Sequence, residues 1–344
     1  MLKFTDNYLE KQLERCYARR SALINGEHQT AYRLFNGFYE GMPGFTVDIF
    51  GSSLVFSDHN EIPGQFDPVV QSIQQYTLSK FPWLKAVLVK SRHAPAEQAQ
   101  RGIQTHGDKL DDHIIENNVK YAIDLRLNQD SSFYLDTRNL RTWIRQNLEQ
   151  KTVLNTFSYS GSLGIAACAA GAQRVIQTDI NSSFLNLARK SYQLNQLHFR
   201  PSDLLEMDFF RMVDRFKTSQ TLFDCVILDP PFFSISETGK IDLVNEYARL
   251  VNKVRPLVAH NGWLIAINNA LFLKGIELVA QIEDLCRSGY LKIEKFIAVP
   301  DDMTGYPDTI LNTPPVEPAP FNHPTKMMVL RVTRKDQKST TVHA

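Results

Sequence analysis

Val153-Leu-Asn-Thr-Phe-Ser-Tyr-Ser-Gly-Ser-Leu-Gly164 is the stretch that decides the fold. An apolar run feeds a small polar turn at Ser158–Ser162, and a helix of small residues follows at Ile165-Ala-Ala-Cys-Ala-Ala170. That order spells a buried parallel strand, a tight turn and a helix whose first N–H groups face the turn. Such a junction cradles a ligand outside the carboxyl ends of the strands. Only Gly161 stands inside the turn, so the Gly-rich pyrophosphate fingerprint is absent and a dinucleotide is disfavoured. The next strand, Arg174-Val-Ile-Gln-Thr-Asp179, ends in an acid about 20 residues on, where a ribose hydroxyl pair is held. These features describe an adenosine-type ligand without a pyrophosphate, and S-adenosylmethionine fits best. The plain alternative is an ordinary βαβ unit with a chance acid.

A chain of 344 residues has room for two domains. Its 43% hydrophobic and 22% charged residues are those of an ordinary soluble globular protein. The formal net charge of +1 gives no global pull towards nucleic acid, so an RNA-binding surface must be a local patch. Cys16, Cys168, Cys225 and Cys286 are widely spaced and make neither a CxxC pair nor a disulfide framework. The start, Met1-Leu-Lys-Phe-Thr-Asp6, lacks an apolar signal core, and no apolar run reaches membrane-spanning length. A cytoplasmic protein with no membrane association is the expectation. His106, His113, His198 and His323 do not sit at ligand spacings, so no metal is expected. Gly-x-Ser-x-Gly is also absent, which argues against a serine hydrolase.

Residues 1–115 read as a small α+β domain. A helix over about 7–25 has one basic side, Lys11, Arg15 and Arg19, which is either a solvated face or an RNA contact. Residues 31–57 alternate strand-like runs with Gly and Pro turns, predicting a small antiparallel sheet. A helix over 71–80 and a strand over 86–90 follow. Lys85, Lys90, Arg92 and Arg101 make the best candidate basic patch, although a scattered solvated surface fits equally well. Residues 116–130 read as a connecting hairpin, 131–335 as the second domain and 336–344 as a flexible tail. From Val153 to Val332 strands alternate with helices, which predicts a doubly wound α/β domain. The proline-rich loop from Pro300 to Pro324 is too long for a mere connection and is expected to cover the site.

Candidate site residues cluster at strand ends. Phe133, Tyr134 and Arg138 would form a wall beside the nucleoside, with Asp136 available as a helix cap. Asn181 or Ser182 caps the helix that follows the acid strand. Asp208, at the end of a weaker third strand, can accept from an adenine amino group while Met207 or Phe209 packs on the ring. It could equally cap a helix. The sharper motif is Asp229-Pro-Pro-Phe232. Pro230 and Pro231 stop the strand ladder and hold the backbone extended, so the Asp229 carboxylate projects into the crevice. Phe232 and Phe233 offer a stacking face for a planar base. Asn268 and Asn269, after the fifth strand, would orient that base by hydrogen bonding or cap the next helix.

Phe133-Tyr-Leu-Asp-Thr-Arg138, Leu154-Asn-Thr-Phe-Ser-Tyr-Ser-Gly161, Asp229-Pro-Pro-Phe-Phe-Ser234 and Ile267-Asn-Asn269 occur in one order. That order resembles the class I S-adenosylmethionine-dependent rRNA large-subunit methyltransferases. It looks most like the guanine-N7-specific half of the bifunctional 23S rRNA enzyme. The likeness covers roughly Ala31 to Val332. It implies a Rossmann-like, seven-stranded catalytic domain, S-adenosyl-L-methionine as cofactor, and a base of 23S rRNA or its assembly particle as substrate, with a homodimer as an option. Carried over by position, the cofactor would meet Arg138, Phe157, Ser158, Tyr159, Gly161, Asp179, Asp208 and Asp229; Asn155, Ser160, Ile180 and Asn181 complete the set.

Two departures matter. The related cytosine-C5 enzymes begin with an RNA-binding PUA domain, which this sequence starts too late to include. They also carry a cysteine after the fifth strand, because C5 methylation needs a thiolate adduct. Asn269 takes that slot here, and Cys225 reads as an inert buried residue. Ring-nitrogen or exocyclic-amine methylation is therefore favoured over C5 chemistry. Outside that reading stand a methyltransferase for small heteroaromatic molecules and a catalytically silent RNA-binding protein.

Overall fold

The computed structural model describes residues 6–24, 26–64, 67–236 and 238–335; the expected tail lies outside them. The chain forms two compact units, Met1–Asp136 with Pro300–Pro314, and Thr137–Val299 with Pro315–Ala344.

In the first unit a helix, Asp6–Arg19, accompanies a five-stranded sheet. Its strands run in spatial order Ala31–Asn36, Phe45–Phe50, Ser53–Asp58, Ala86–Ser91 and Ile103–His106. The sheet is antiparallel, as expected for 31–57, except that Ser53–Asp58 and Ala86–Ser91 pair in parallel. A parallel pair requires a crossover, and the helix Asp67–Lys80 supplies it. The hairpin His113–Glu116 with Val119–Ala122 turns through Asn117 and Asn118, both left-handed at φ 51° and 62°. Paired left-handed residues suit a two-residue hairpin, and Asn tolerates the conformation. The hairpin starts earlier than the expected 116 and belongs to the first unit, whose boundary falls at Asp136 rather than 130.

The proline-rich loop is divided between the two units. Pro300–Pro314 is part of the first unit. Arg20 and Glu40 form a fully buried ion pair at 2.9 Å. A buried pair is tolerable only when its remaining polar atoms are satisfied, and this segment satisfies them. The Asp302 carbonyl accepts from Arg20, and Thr309 Oγ1 donates to Glu40 at 2.5 Å. The Asp302 carboxylate also accepts from Arg33 N at 2.9 Å. The basic features change meaning too. Arg15 and Arg19 bond Asp308 on the same segment. Lys90 is buried and donates to the carbonyls of Asn128, Gln129 and Asp130. Arg92 and Arg101 pair with Asp130 and Glu97. The candidate patch therefore reduces to exposed Lys85.

The second unit is built on seven strands: β1 (Thr152–Thr156), β2 (Arg174–Asp179), β3 (Leu204–Glu206), β4 (Phe223–Leu228), β5 (Val258–Asn268), β6 (Leu291–Ile297) and β7 (Lys326–Val332). Their spatial order is β3-β2-β1-β4-β5-β7-β6, with β7 alone antiparallel to its neighbours. The helices are α1 (Arg138–Asn147), α2 (Ser162–Ala169), α3 (Ser182–Leu194), α4 (Phe209–Thr218), α5 (Tyr247–Val254) and α6 (Gly275–Cys286). This is the doubly wound architecture that the alternation of elements predicted. The order in which successive strands are added reverses between β1 and β4, which are themselves parallel, and this switch point is where such folds bind ligands. The core joins the inner strands to α4 and α5 through Leu154, Val226, Leu264, Phe210, Leu250 and Val254.

Two local features depart from expectation. A hairpin, Phe233–Ser236 with Gly239–Asp242, stands between β4 and α5. The helix after it, α5, begins only at Tyr247, because Asp242 Oδ1 accepts from Val244 N and Asn245 N and holds that stretch as a turn.

Candidate active site

The strand register places the site. Thr156 of β1 lies opposite Thr178 of β2 and Leu228 of β4, and Leu228 lies opposite Ala266 of β5. One residue further on, Phe157, Asp179, Asp229 and Ile267 leave four adjacent strands side by side. Strands stand about 4.8 Å apart, so Asp179 and Asp229 flank the turn after β1 at roughly 10 Å from each other. Both motifs leave the same ends of neighbouring strands.

The turn itself is unusual in its backbone. Phe157 and Tyr159 both sit at φ 51°, and Gly161 at 81°. Left-handed conformations cost a residue other than glycine on the order of 1–3 kcal/mol and cluster at ligand sites. What holds the turn is hydrogen bonding: Gly161 N donates to Ser158 O at 2.8 Å, and Tyr159 N donates to Asp179 Oδ2 at 2.9 Å. The other Asp179 oxygen accepts from Asn181 N at 2.9 Å. A carboxylate has about four acceptor positions, so room remains for a hydroxyl pair. Burial raises the Asp179 pKa, against the lowering effect of those backbone donors. Ser158 Oγ is buried with no partner, a polar atom at the turn that a ligand could satisfy.

Below the turn lies a buried polar chain. Asn155 Nδ2 donates to Gln177 Oε1 at 3.1 Å, Gln177 Nε2 donates to the Tyr192 hydroxyl at 3.3 Å, and that hydroxyl meets Cys168 Sγ at 3.3 Å. The Gln177 amide fills the space that a Cβ on Gly164 would need, at 2.3 Å. This explains the second glycine of the stretch: it lets α2 sit close on the sheet. Asn155 is buried and supports the turn from beneath through Gln177, while its Oδ1 is left without a partner.

Other expected cofactor residues divide. Ile180 is exposed at the crevice and Met207 is half-buried, its N–H extending the ladder to Asp179 O at 3.0 Å. Asn181 is the cap of α3, accepting from Ser183 N at 2.9 Å. Asp208 takes the cap reading: Oδ1 accepts from Phe210 N at 2.9 Å and Arg211 N at 3.2 Å. Phe209 is corrected from a ring-packing residue to core, buried under Phe157 with ring centroids 4.6 Å apart. Phe157 therefore presents the apolar face instead. Ser160 is buried within the turn, and Arg138 opens α1, whose cap position is Thr137 rather than Asp136. Phe133 and Tyr134 lie in the first unit. Phe133 packs on Tyr121 at 5.1 Å, and the Tyr134 hydroxyl donates to Asp130 at 3.2 Å.

On the β4 side Pro230 is buried, Asp229 half-buried, and Phe232 and Phe233 are 51% and 52% exposed. Two phenyl rings left half in water beside a carboxylate make a platform for a flat ring. Asn268 is corrected: it is fully buried, donating to Leu243 O at 3.0 Å and accepting from Ala270 N at 2.9 Å. Its side chain is enclosed by the protein, whereas Asn269 is exposed. Lys326, opposite Asn268 on β7, is buried and donates to Ala270 O at 2.9 Å and Pro324 O at 2.7 Å. Cys225 is fully buried inside β4, and burial pushes its thiol well up. A cavity of about 420 Å³ lies at the opposite, amino-terminal ends of β1 and β2, lined by Arg174, Tyr192, Arg200 and Asp203 among others.

A model of the S-adenosylmethionine-dependent methyltransferase family matches residues 83–288, more than half of the chain. The chain belongs to that family. Among curated relatives it is 28% identical over 264 residues to a Bacillus subtilis (strain 168) protein provisionally named a ribosomal RNA large subunit methyltransferase, covering 75% of this chain and 66% of the relative. The ribosomal RNA large subunit methyltransferase I of Aeromonas salmonicida is also 28% identical, over 265 residues, with the same coverage. The chain thus spans just under two thirds of the length of these relatives. Among solved structures, one from Streptococcus mutans, provisionally named an S-adenosylmethionine-dependent methyltransferase, superposes with a TM-score of 0.82 at 21% identity, covering 96% of this chain and 83% of its own. A further methyltransferase structure, complexed with S-adenosylhomocysteine, gives 0.84 at 22% identity with the same coverage.

The methyltransferase cofactor fits the residues present: a paired carboxylate at Asp179, the partnerless Ser158 hydroxyl and the apolar face of Phe157. Sequence reasoning missed the hairpin after β4 and the lysine at the head of β7. The first had a signal in Ile235-Ser-Glu-Thr-Gly239, a polar glycine-ended turn; the second had none, since a lysine opening a strand reads as solvated.

Proposed function

We propose that the chain transfers a methyl group from S-adenosylmethionine to a ring nitrogen of an RNA base, with guanine N7 of large-subunit ribosomal RNA as the favoured target. The observation that carries this reading is the strand end Asp229-Pro-Pro-Phe-Phe233, which leaves its strand beside the cofactor turn with both phenyl rings exposed, while Cys225 of the same strand is fully buried. The cofactor, when bound, supplies an electrophilic sulfonium methyl. A ring nitrogen with a free lone pair needs no proton removed before attack, so orientation can carry most of the rate. Asp229 would accept from the base edge, Phe232 and Phe233 would hold its plane, and Asn269 would complete the in-plane contacts. C5 attack on cytosine would need a thiolate, and buried Cys225 is held protonated. The relatives named as large-subunit RNA methyltransferases support RNA as the substrate class.

The test is incubation of the protein with labelled S-adenosylmethionine and total RNA from a strain lacking it, followed by nucleoside mass spectrometry. 7-Methylguanosine is the expected product. Recovery of 5-methylcytidine would overturn the nitrogen assignment, and label incorporation into small heteroaromatic compounds with none in RNA would overturn the substrate class.

A further inference from the structure

Six of the ten large apolar side chains that the second unit exposes among the described residues stand on two segments: Phe232, Phe233 and Ile235 on the hairpin after β4, and Leu271, Phe272 and Ile276 after β5. The hairpin does not expose them for want of a core. Strand pairing puts Phe233 opposite Asp242 and Ile235 opposite Lys240, so these four share one face. The other face carries Ile241, which is buried, and Gly239, whose missing Cβ lets the Phe210 ring approach within 2.5 Å of that position. The hairpin is thus seated by its inner face and presents apolar side chains outward by construction. Lys240 lies over the Phe233 ring at 5.5 Å, its half-exposed ammonium also pairing with the buried Asp242 carboxylate at 3.0 Å. Ser236 and Thr238, bonded to each other at 3.0 Å, add hydroxyls at its tip.

The second segment is tied to the first. Leu243 N donates to Phe232 O at 3.2 Å, Asn268 donates to Leu243 O, and Asn268 accepts from Ala270 N. Lys326 grips the same Ala270 carbonyl. One buried asparagine therefore links the root of the hairpin to the root of the loop that carries Phe272, which is 71% exposed. Both segments leave the same ends of adjacent strands, continuous with Asp229 and the cofactor turn.

We propose that these two segments form a stacking platform for the unpaired nucleotides that flank the target base, so that the substrate is a single-stranded stretch of RNA. This rests on the methyltransferase reading above and adds its substrate form. Aromatic faces bind any unstacked base, an ammonium beside a ring suits a phosphate next to a stacked base, and a duplex keeps its bases from such contacts. Asn268 ties the two segments together at their roots.

The test compares the wild type with an Ile235→Ala/Phe272→Ala double variant. Fluorescence anisotropy reports binding of a short labelled single-stranded RNA and of the same strand in a duplex, and calorimetry reports binding of S-adenosylmethionine. The expected result is tighter binding to the single strand, at least about fivefold weakened in the variant, with cofactor affinity unchanged. Equal affinity for strand and duplex, or no loss in the variant, would overturn the platform. So would a wild type that sediments as a dimer, a monomeric variant and undiminished RNA affinity, which would make this face an interface between copies. A wild type that binds S-adenosylmethionine and no RNA sinks the platform and leaves the methyltransferase reading standing; one that binds single strands and no cofactor does the reverse.

Discussion

Replacing Gly161 by alanine tests how tightly the cofactor turn is built. Gly161 sits at φ 81°, where an L residue costs about 1–2 kcal/mol. The new Cβ would lie 2.6 Å from Ala188 Cβ and 2.9 Å from Gln177 Oε1. Carbon atoms rest about 3.5–4.0 Å apart, so the turn must withdraw by about 1 Å. Neither neighbour can yield, since Ala188 is fully buried on α3 and Gln177 is held by Asn155 and Tyr192. Overpacking of this kind adds about 1–3 kcal/mol. The expected loss of about 2–5 kcal/mol lowers the thermal midpoint by roughly 4–20 °C, at about 2–4 °C per kcal/mol. A displacement near 1 Å also weakens cofactor binding and misplaces the methyl group, with a cost in turnover on the order of 100-fold. Ala188→Gly removes the shorter contact and by itself costs about 1 kcal/mol as a helix glycine. In the double variant the two changes should then be less than additive, with at least about 1 kcal/mol of favourable coupling. Thermal unfolding and calorimetry with S-adenosylhomocysteine on all four proteins complete the cycle. Strict additivity, or a Gly161→Ala protein that melts and binds like the wild type, would refute the reasoning.

Asp179→Ala removes the acceptor for Tyr159 N and Asn181 N together with the hydroxyl-pair site, so cofactor affinity should fall at least about tenfold by calorimetry, a charged hydrogen bond contributing about 1.5–3 kcal/mol. Asp229→Ala should lower turnover more than cofactor affinity; equal losses would contradict its place on the acceptor side. Cys225→Ala should keep turnover within about twofold, since the small buried side chain takes no part; an inactive variant would reopen thiolate chemistry. Burial lowers the Lys326 pKa from 10.5 to about 8. The unfolded chain therefore holds this proton to higher pH than the folded one, and the group's cost to stability disappears as pH rises from about 8 to 10.5. Urea unfolding of wild type should show that rise, and Lys326→Met should flatten it; identical slopes would show that the ammonium is not buried.

The cofactor half of the site was legible because its chemistry is local. A strand, one turn and a terminal acid are contiguous in sequence, and strand register then aligns them without further information. What escaped was decided by burial. Asn268 and Asn269 look alike as letters, yet the first is the buried last residue of β5 and the second lies just beyond the strand, in solvent. Asp208 read equally as a ligand contact and a helix cap, and Phe209 as a ring-packing residue; a cap and a core ring are what the start of α4 needs there. Lys90 read as surface charge, although its Nζ meets three carbonyls from a turn some forty residues away, a contact that no periodicity encodes. The family resemblance spanned these positions correctly while leaving each side chain's own task to be settled by packing.

The return of Pro300–Pro314 to the first unit means that neither half of this protein is one uninterrupted piece of its gene. Cutting after Asp136 strands the Arg20–Glu40 pair without Thr309 and the Asp302 carbonyl, and leaves the remaining fragment carrying a foreign insert that has lost its seat. Swapping amino-terminal halves between related enzymes would meet the same obstacle: the exchanged piece and residues 300–314 have to travel as a matched set.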